Sequence, residues 1–240
     1  MKVRKITDAM RKVLPLQYCG AVIVAAGTAS RMGGTDKVMA SLGTEPMIVR
    51  TVRAFQNCDA VKEIVVVTRE DLIPRITSLC GKFDKVRAVV IGGSDRAESV
   101  RNGLRMLSSK VKLAAVQDGA RPLVSAALID RTIRAAHAYG AAAPAISVKD
   151  TVKMVEGGIV TTTPDRNILK AIQTPQVFDI DLLRGALKKA QTEGIPITDD
   201  CSAVERMGFP VKIVEGDERN IKVTTPMDLK IAEMLLEDEQ

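Results

Sequence analysis

The chain has 240 residues, 46% hydrophobic but only 2% aromatic, so its core must be built from aliphatic side chains, of which there are enough for a globular protein. Lysine and arginine exceed aspartate and glutamate by 35 to 29, and the resulting +6 suits a polyanionic small ligand but is too small to indicate nucleic acid. No apolar stretch approaches the ~20 residues that span a bilayer, which excludes membrane insertion, and the apolar content excludes general disorder.

Residues 1–18 read as a basic leader with Lys2, Arg4, Lys5, Arg11 and Lys12, of an order that the sequence does not decide. Pro15, Gln17 and Tyr18 separate it from the run 20–26, which is too short for a signal peptide and reads as a strand. From residue 19 to 240 no composition break divides the chain, so one large domain is expected. Apolar runs at 21–26, 63–68, 86–91 and 113–117 are apolar on both faces, as buried parallel strands require. Between and after them, 46–56, 99–107 and 125–139 carry apolar residues at helical spacing. Strand and helix in alternation predict a doubly wound α/β fold with a mainly parallel sheet.

The rhythm changes after Ala145. Residues 146–155 read as a strand, Glu156-Gly157-Gly158 as a turn and 159–163 as a returning strand, so a β-arm is expected near 146–163. A helix over 179–193, a strand over 211–215 and a last helix opened by Thr225-Pro226-Met227-Asp228 follow. That quartet sets a hydroxyl cap, a proline in the first turn and a carboxylate three residues after the cap.

The first strand runs into Ala25-Ala26-Gly27-Thr28-Ala29-Ser30-Arg31-Met32-Gly33-Gly34-Thr35-Asp36-Lys37, at the strand end where open α/β sheets bind ligands. It is neither a dinucleotide fingerprint nor a Walker loop. Small residues let backbone N–H groups approach phosphate, and Arg31 and Lys37 add two cations. Taken alone, the same residues also fit a glycine-rich turn with surface cations. The cysteines at 19, 58, 80 and 201 show no C-x-x-C pair, which suggests neither zinc nor disulfides and fits reduced thiols in a cytoplasmic protein. His137, the only histidine, lies in an alanine-rich helical pattern and reads as a bystander.

Further motifs follow in order: Gly92-Gly93-Ser94-Asp95-Arg96-Ala97-Glu98-Ser99-Val100, Asp118-Gly119-Ala120-Arg121-Pro122, Val148-Lys149-Asp150-Thr151-Val152-Lys153, Asp165-Arg166-Asn167, Thr174-Pro175-Gln176, Thr198-Asp199-Asp200 and Asn220-Ile221-Lys222-Val223-Thr224. With the first loop, this series resembles the 2-C-methyl-D-erythritol 4-phosphate cytidylyltransferases from about residue 19 to 236. The resemblance implies a Rossmann-like nucleotidyltransferase fold and transfer of CMP from CTP to a sugar-alcohol phosphate with release of pyrophosphate, in non-mevalonate isoprenoid precursor synthesis. The acceptor phosphate attacks the α-phosphorus directly, which leaves the protein to position and to stabilise charge.

By the same resemblance Arg31, Lys37, Arg166 and Lys222 are the catalytic cations. The backbone near Ala25, Ala26, Gly27 and Gly93, with Ser94 and Ser99, binds CTP. Asp118, Arg121, Thr151, Arg166, Thr174, Thr198 and Lys222 face the acceptor, and Asp118 is also a candidate ligand for a Mg²⁺ held mainly through the CTP phosphates, the alternative being an aspartate that caps the next loop. Ser94 departs from the acidic residue of many relatives. Asp36 departs from the proline of many nucleotidyltransferases, which implies a less rigid Lys37. The arm implies a homodimer in which Thr151 enters the partner's site. Two alternatives are a ribitol 5-phosphate cytidylyltransferase and a non-catalytic nucleotide-binding regulator.

Overall fold

A computed structural model describes residues 15–27 and 36–237. Its strands are β1 (Cys19–Ala25), β2 (Ser41–Leu42), β3 (Glu45–Pro46), β4 (Val61–Thr68), β5 (Val86–Ile91), β6 (Leu113–Asp118), β7 (Ala141–Ser147), β8 (Met154–Glu156), β9 (Ile159–Thr162), β10 (Lys170–Ile172), β11 (Gln176–Asp179) and β12 (Lys212–Glu215). The helices are α1 (Met47–Gln56), α2 (Ile73–Cys80), α3 (Arg96–Met106), α4 (Ala126–Tyr139), α5 (Ile180–Thr192), α6 (Asp200–Glu205) and α7 (Pro226–Glu237). Most strands form one 8-stranded sheet in the order β10-β7-β11-β6-β1-β4-β5, with β12 also on β7. The pairs β6-β1, β1-β4, β4-β5 and β7-β12 are parallel, while β10 and β11 run antiparallel to their neighbours.

The all-apolar strand pattern has a direct cause in β1. Cys19, Ala21, Ile23 and Ala25 pack into one core with Phe55 of α1, Ile76 of α2 and Leu128 of α4. Val22 points the other way, into a second core with Leu104 of α3 and Leu183 of α5. A side-chain period of two sends alternate residues to opposite faces, and helices cover both. Helix ends follow their caps. Ser125 accepts from the Leu128 N–H and opens α4, and Gly140, at φ +84, closes it in the left-handed conformation that glycine adopts without strain. At α7 the Asp228 N–H donates to Thr225 Oγ1 at 3.2 Å and the Thr225 N–H donates to Asp228 Oδ2 at 2.8 Å, the reciprocal box that the quartet predicted.

The strand expected over 146–155 is corrected. The chain is already extended at Ala141, leaves the sheet at Ser147, and re-forms a strand only at Met154, on the arm. The pattern misleads because 141–145 is mostly alanine, which carries no strand signal of its own. The arm itself is the antiparallel pair β8-β9, exposed on both faces. Part of the leader also belongs to the body, because Leu16 and Tyr18 pack on the two cores, while residues 1–14 lie outside the described residues. Among the described residues no helix is long and apolar enough to cross a membrane, and the four cysteines are buried free thiols.

Candidate active site

The carboxyl ends of β1, β5 and β6 and the loops that leave them enclose a cleft of about 480 Å³. One wall is main chain, from Ala25, Ala26 and Gly27 after β1 and from Gly93 after β5. The Gly93 N–H donates to Ser99 Oγ at 3.0 Å, and that hydroxyl donates to the Asp95 carbonyl at 2.9 Å. Asp95 caps α3 by accepting from the Glu98 N–H at 2.7 Å. Ser94 gives both its N–H and its hydroxyl to Glu98, at 2.6 and 2.8 Å. The loop is therefore fixed by its own hydrogen bonds, and its peptide edge is presented rigidly. Gly93 is required sterically, since a Cβ there would lie 2.1 Å from Glu98 Cγ and 2.4 Å from its Cβ. Gly93→Ala should accordingly destabilise the fold by about 1–3 kcal/mol in chemical denaturation; an unchanged midpoint would mean that Glu98 yields freely.

The other wall is charged. Asp118, the last residue of β6, is 8% exposed and faces Lys222 Nζ at 2.6 Å from Oδ2 and Arg96 Nη2 at 3.5 Å from Oδ1. Arg96 also reaches Asp200, Nη1 to Oδ2, at 2.7 Å, so carboxylates and cations alternate from the first turn of α6 to the cleft. Burial pushes the Asp118 carboxyl up, but Arg96, Lys222 and Arg121 outweigh it and hold the group below its ordinary range. A lowered carboxyl contributes stability above its unfolded pKa and loses it as pH falls through the folded value. Burial lowers the Arg96 guanidinium, and Asp200 and Asp118 overcome this to hold it charged.

Buried polar contacts set Lys222 and Asp118 in place from behind. The Asp118 N–H donates to Thr174 Oγ1 at 3.2 Å, Asn220 Nδ2 donates to the Thr174 carbonyl at 2.9 Å, and Arg121 Nη1 donates to the Asn220 carbonyl at 2.5 Å. The Val223 N–H, next to Lys222, donates to the Ala120 carbonyl at 2.9 Å. Lys37 enters from a third side, on the short turn Lys37–Met39, whose Val38 and Met39 are buried.

A sequence model of the 2-C-methyl-D-erythritol 4-phosphate cytidylyltransferase family matches residues 19–238. The chain belongs to this family. The protein of that name from Caldanaerobacter subterraneus is 44% identical over 225 residues, which cover 90% of this chain and 97% of the relative. The protein of that name from Symbiobacterium thermophilum is 43% identical over 220 residues, 91% of this chain and 92% of the relative. A crystal structure of 4-diphosphocytidyl-2C-methyl-D-erythritol synthase from Anaerococcus prevotii superposes with TM-score 0.85 at 30% identity, covering 93% of this chain and 100% of that one.

In this family member the sequence-predicted residues divide. Ala25, Ala26, Gly27, Lys37, Gly93, Ser94, Ser99, Asp118 and Lys222 all line the cleft. Ser94 does so with its hydroxyl turned to Glu98. Thr174 and Arg121 are buried behind the cleft, with the contacts given above. Thr198 lines a separate hollow with Pro196, Ser202, Glu205 and Arg206. Thr151 and Arg166 are exposed, and Arg166 Nη1 donates to the Lys149 carbonyl at 3.0 Å. Arg31 lies outside the described residues. The expectation of a loosely presented Lys37 is corrected, because Asp36 Oδ1 accepts from the Val38 N–H at 3.1 Å and caps the turn. Sequence reasoning assigned no role to Arg69, Arg96 or Asp200. The last two lie inside quoted motifs, and that membership was the available signal.

Among the described residues no group of three or more His, Cys, Asp or Glu could hold a metal. Asp118 offers a single carboxylate, already engaged by Lys222 and Arg96. One carboxylate fits a Mg²⁺ carried on substrate phosphates, which keeps most of its shell from water and phosphate, and not a cage made by the protein.

Proposed function

We propose that this cleft binds CTP and 2-C-methyl-D-erythritol 4-phosphate together and transfers CMP between them. The supporting observation is the pairing of a rigid peptide edge, at Ala26 and Gly93, with the Asp118-Lys222 ion pair across one cleft. A fixed edge of donors and acceptors can tell the amino group of cytosine from a carbonyl. Lys37 serves the triphosphate, a role that family likeness also gives to Arg31. Lys222, released in part from Asp118 by an incoming phosphate dianion, steers the acceptor. An acceptor phosphate oxygen attacks the α-phosphorus, the bond to the β-phosphate oxygen breaks, and pyrophosphate leaves. No side chain becomes a nucleophile, and the protein's contribution is alignment and charge stabilisation. A bound Mg²⁺, with Asp118 as its protein ligand, would neutralise part of the triphosphate charge.

The arm supports a homodimer. Met154, Val155, Ile159 and Val160 are more than half exposed, and an isolated two-stranded hairpin is marginal in water, so such a face gains stability by docking on a second copy. In that arrangement Thr151 and Arg166 serve the partner's cleft, which accounts for their exposure here. The reading places the enzyme in the cytoplasm, with its thiols reduced.

The test is pyrophosphate release by the purified protein with CTP and each acceptor. Methylerythritol phosphate should turn over at least a hundredfold faster than ribitol 5-phosphate, and UTP should be a far poorer donor than CTP, on the order of the 10⁴-fold discrimination that base-edge hydrogen bonding allows. Comparable rates with ribitol phosphate would reassign the acceptor, and no release with either would leave a nucleotide-binding protein without catalysis.

A further inference from the structure

We infer that Arg69 is a positioning residue for the triphosphate side of the cleft, acting on Lys37 through Asp36. The inference rests on the reading of the cleft given above, and it concerns a residue to which neither motif nor family likeness directed attention.

Arg69 stands one residue beyond β4. The last residue of β4, Thr68, is in register with Ala25, the last of β1. The two strands therefore release their chains side by side, and Arg69 comes to line the cleft next to Gly27 and Lys37. A cation so placed invites assignment as a phosphate ligand, but each of its three nitrogens already faces a carboxylate. Nε and Nη2 hold Asp71 at 3.1 and 3.0 Å in a two-point contact. Nη1 forms an ion pair with Asp36 Oδ2 at 2.5 Å, with no hydrogen bond to that buried oxygen. Planar guanidinium is well suited to such bridging between carboxylates, which an ammonium could not reproduce.

Asp36 is committed on both sides as well. While Oδ2 takes Arg69, Oδ1 takes the Val38 N–H and caps the turn that carries Lys37. The next residues, Val38 and Met39, are 3% and 8% exposed and are locked in the core. Lys37 thus sits between a buried anchor on one side and a carboxylate braced to the neighbouring strand on the other. The brace ties the far end of the β1 loop to β4. Exposed ion pairs contribute little to stability. A pair that fixes the height of a catalytic cation is read out differently, because displacements of an ångström or less at the reacting phosphates are costly in rate.

The experiment is steady-state kinetics of the full-length protein carrying Arg69→Ala, Arg69→Lys, Asp36→Asn or Arg69→Ala with Asp36→Asn, alongside Lys37→Ala. Asparagine keeps the oxygen that caps Val38 while removing the charge that Arg69 holds. The expected result is a rise of about five- to tenfold in KM for CTP in Arg69→Ala and in Asp36→Asn, with the double variant no worse than either single one and KM for the acceptor changed less than about twofold. Arg69→Lys should recover only part of the loss. If Arg69→Ala is far more damaging than Asp36→Asn and the two effects add, Arg69 touches substrate itself and the inference is overturned. If both single variants have wild-type kinetics, the brace does not govern Lys37 and the inference is equally overturned. Should Arg69→Ala fail to fold, Asp36→Asn and Arg69→Lys still decide. The Lys37→Ala arm separates this inference from the reading beneath it: normal turnover there would remove Lys37 from the site, whereas impaired turnover with an inert brace removes only Arg69.

Discussion

Lys222→Ala should lower kcat by about a hundredfold or more, on the order of 3 kcal/mol of lost transition-state stabilisation, while the protein stays folded. The ammonium lies 2.6 Å from Asp118 at the mouth of the cleft but is still 44% exposed, so its removal opens no cavity. The Lys222 backbone is also held independently, through the bond from Val223 to Ala120 and the Asn220 contacts with Thr174 and Arg121. What changes is the electrostatics. Asp118 keeps only Arg96 at 3.5 Å and Arg121 as counter-charges, and it faces the incoming phosphate as an anion less well neutralised. The acceptor should then be repelled, raising its KM, while CTP affinity measured by calorimetry without acceptor stays near wild type. Lost CTP affinity with an unchanged acceptor KM would move Lys222 to the nucleotide side.

Asp200→Ala should be the most destabilising change at the charged wall, by about 3–5 kcal/mol, because it leaves Arg96 largely buried without its principal carboxylate. Asp200 is fully buried, its Oδ2 lies 2.7 Å from Arg96 Nη1, and its N–H is accepted by Gln176 Oε1 at 3.0 Å. For a chain of this length such a loss corresponds to a fall in Tm of roughly 10 °C or more. Asp200→Asn should cost much less. Burial pushes the Asp200 carboxyl up against the pull of Arg96, so the ionised form is already disfavoured, and an amide oxygen can still accept from the guanidinium. The sign with pH follows: a raised carboxyl withdraws stability as pH rises above its unfolded pKa, opposite to Asp118, so acidification should favour wild type over the asparagine variant and widen the gap between them. Equal melting curves for wild type and Asp200→Ala would show that Arg96 finds compensation in Asp118 alone.

The elements that sequence patterns reveal here are those buried on both faces or bounded by caps. β1, β4, β6, α1, α4, α5 and α7 fall where runs, periodicity and cap residues put them, since each is specified by its own residues; β5 also falls on its run, but it is the edge strand with none of its residues fully buried, which corrects the burial expected on both its faces. β10, β11 and α6 are three to six residues long, too short for either period to register, and are stabilised by partners distant in sequence. The same distinction runs through the cleft. The small residues of 25–27, Gly93 and the cations Lys37 and Lys222 stand out because their chemistry is unusual where they occur. Arg69 does not, since a surface arginine after a strand is unremarkable until Asp36, from another loop, is seen beside it. Arg96 and Asp200 are separated by 104 residues, and only the packing of α3 against the segment after α5 makes them a pair.

The base of the arm has a consequence for how this chain tolerates change. Ser147, the last residue of β7, is paired directly with Lys170, the first of β10, so the two points where the polypeptide leaves and rejoins the sheet lie only about 5 Å apart. Whatever joins them is, in topological terms, an excursion whose ends are already closed by the sheet. Its length can vary by several residues at a closure cost of only tenths of a kcal/mol, without shifting a single pairing in β7, β10 or β11. Changes of length within 148–169 are therefore tolerated by the sheet, and what limits them is the use that the proposed dimer makes of Thr151, Arg166 and the exposed face of β8 and β9.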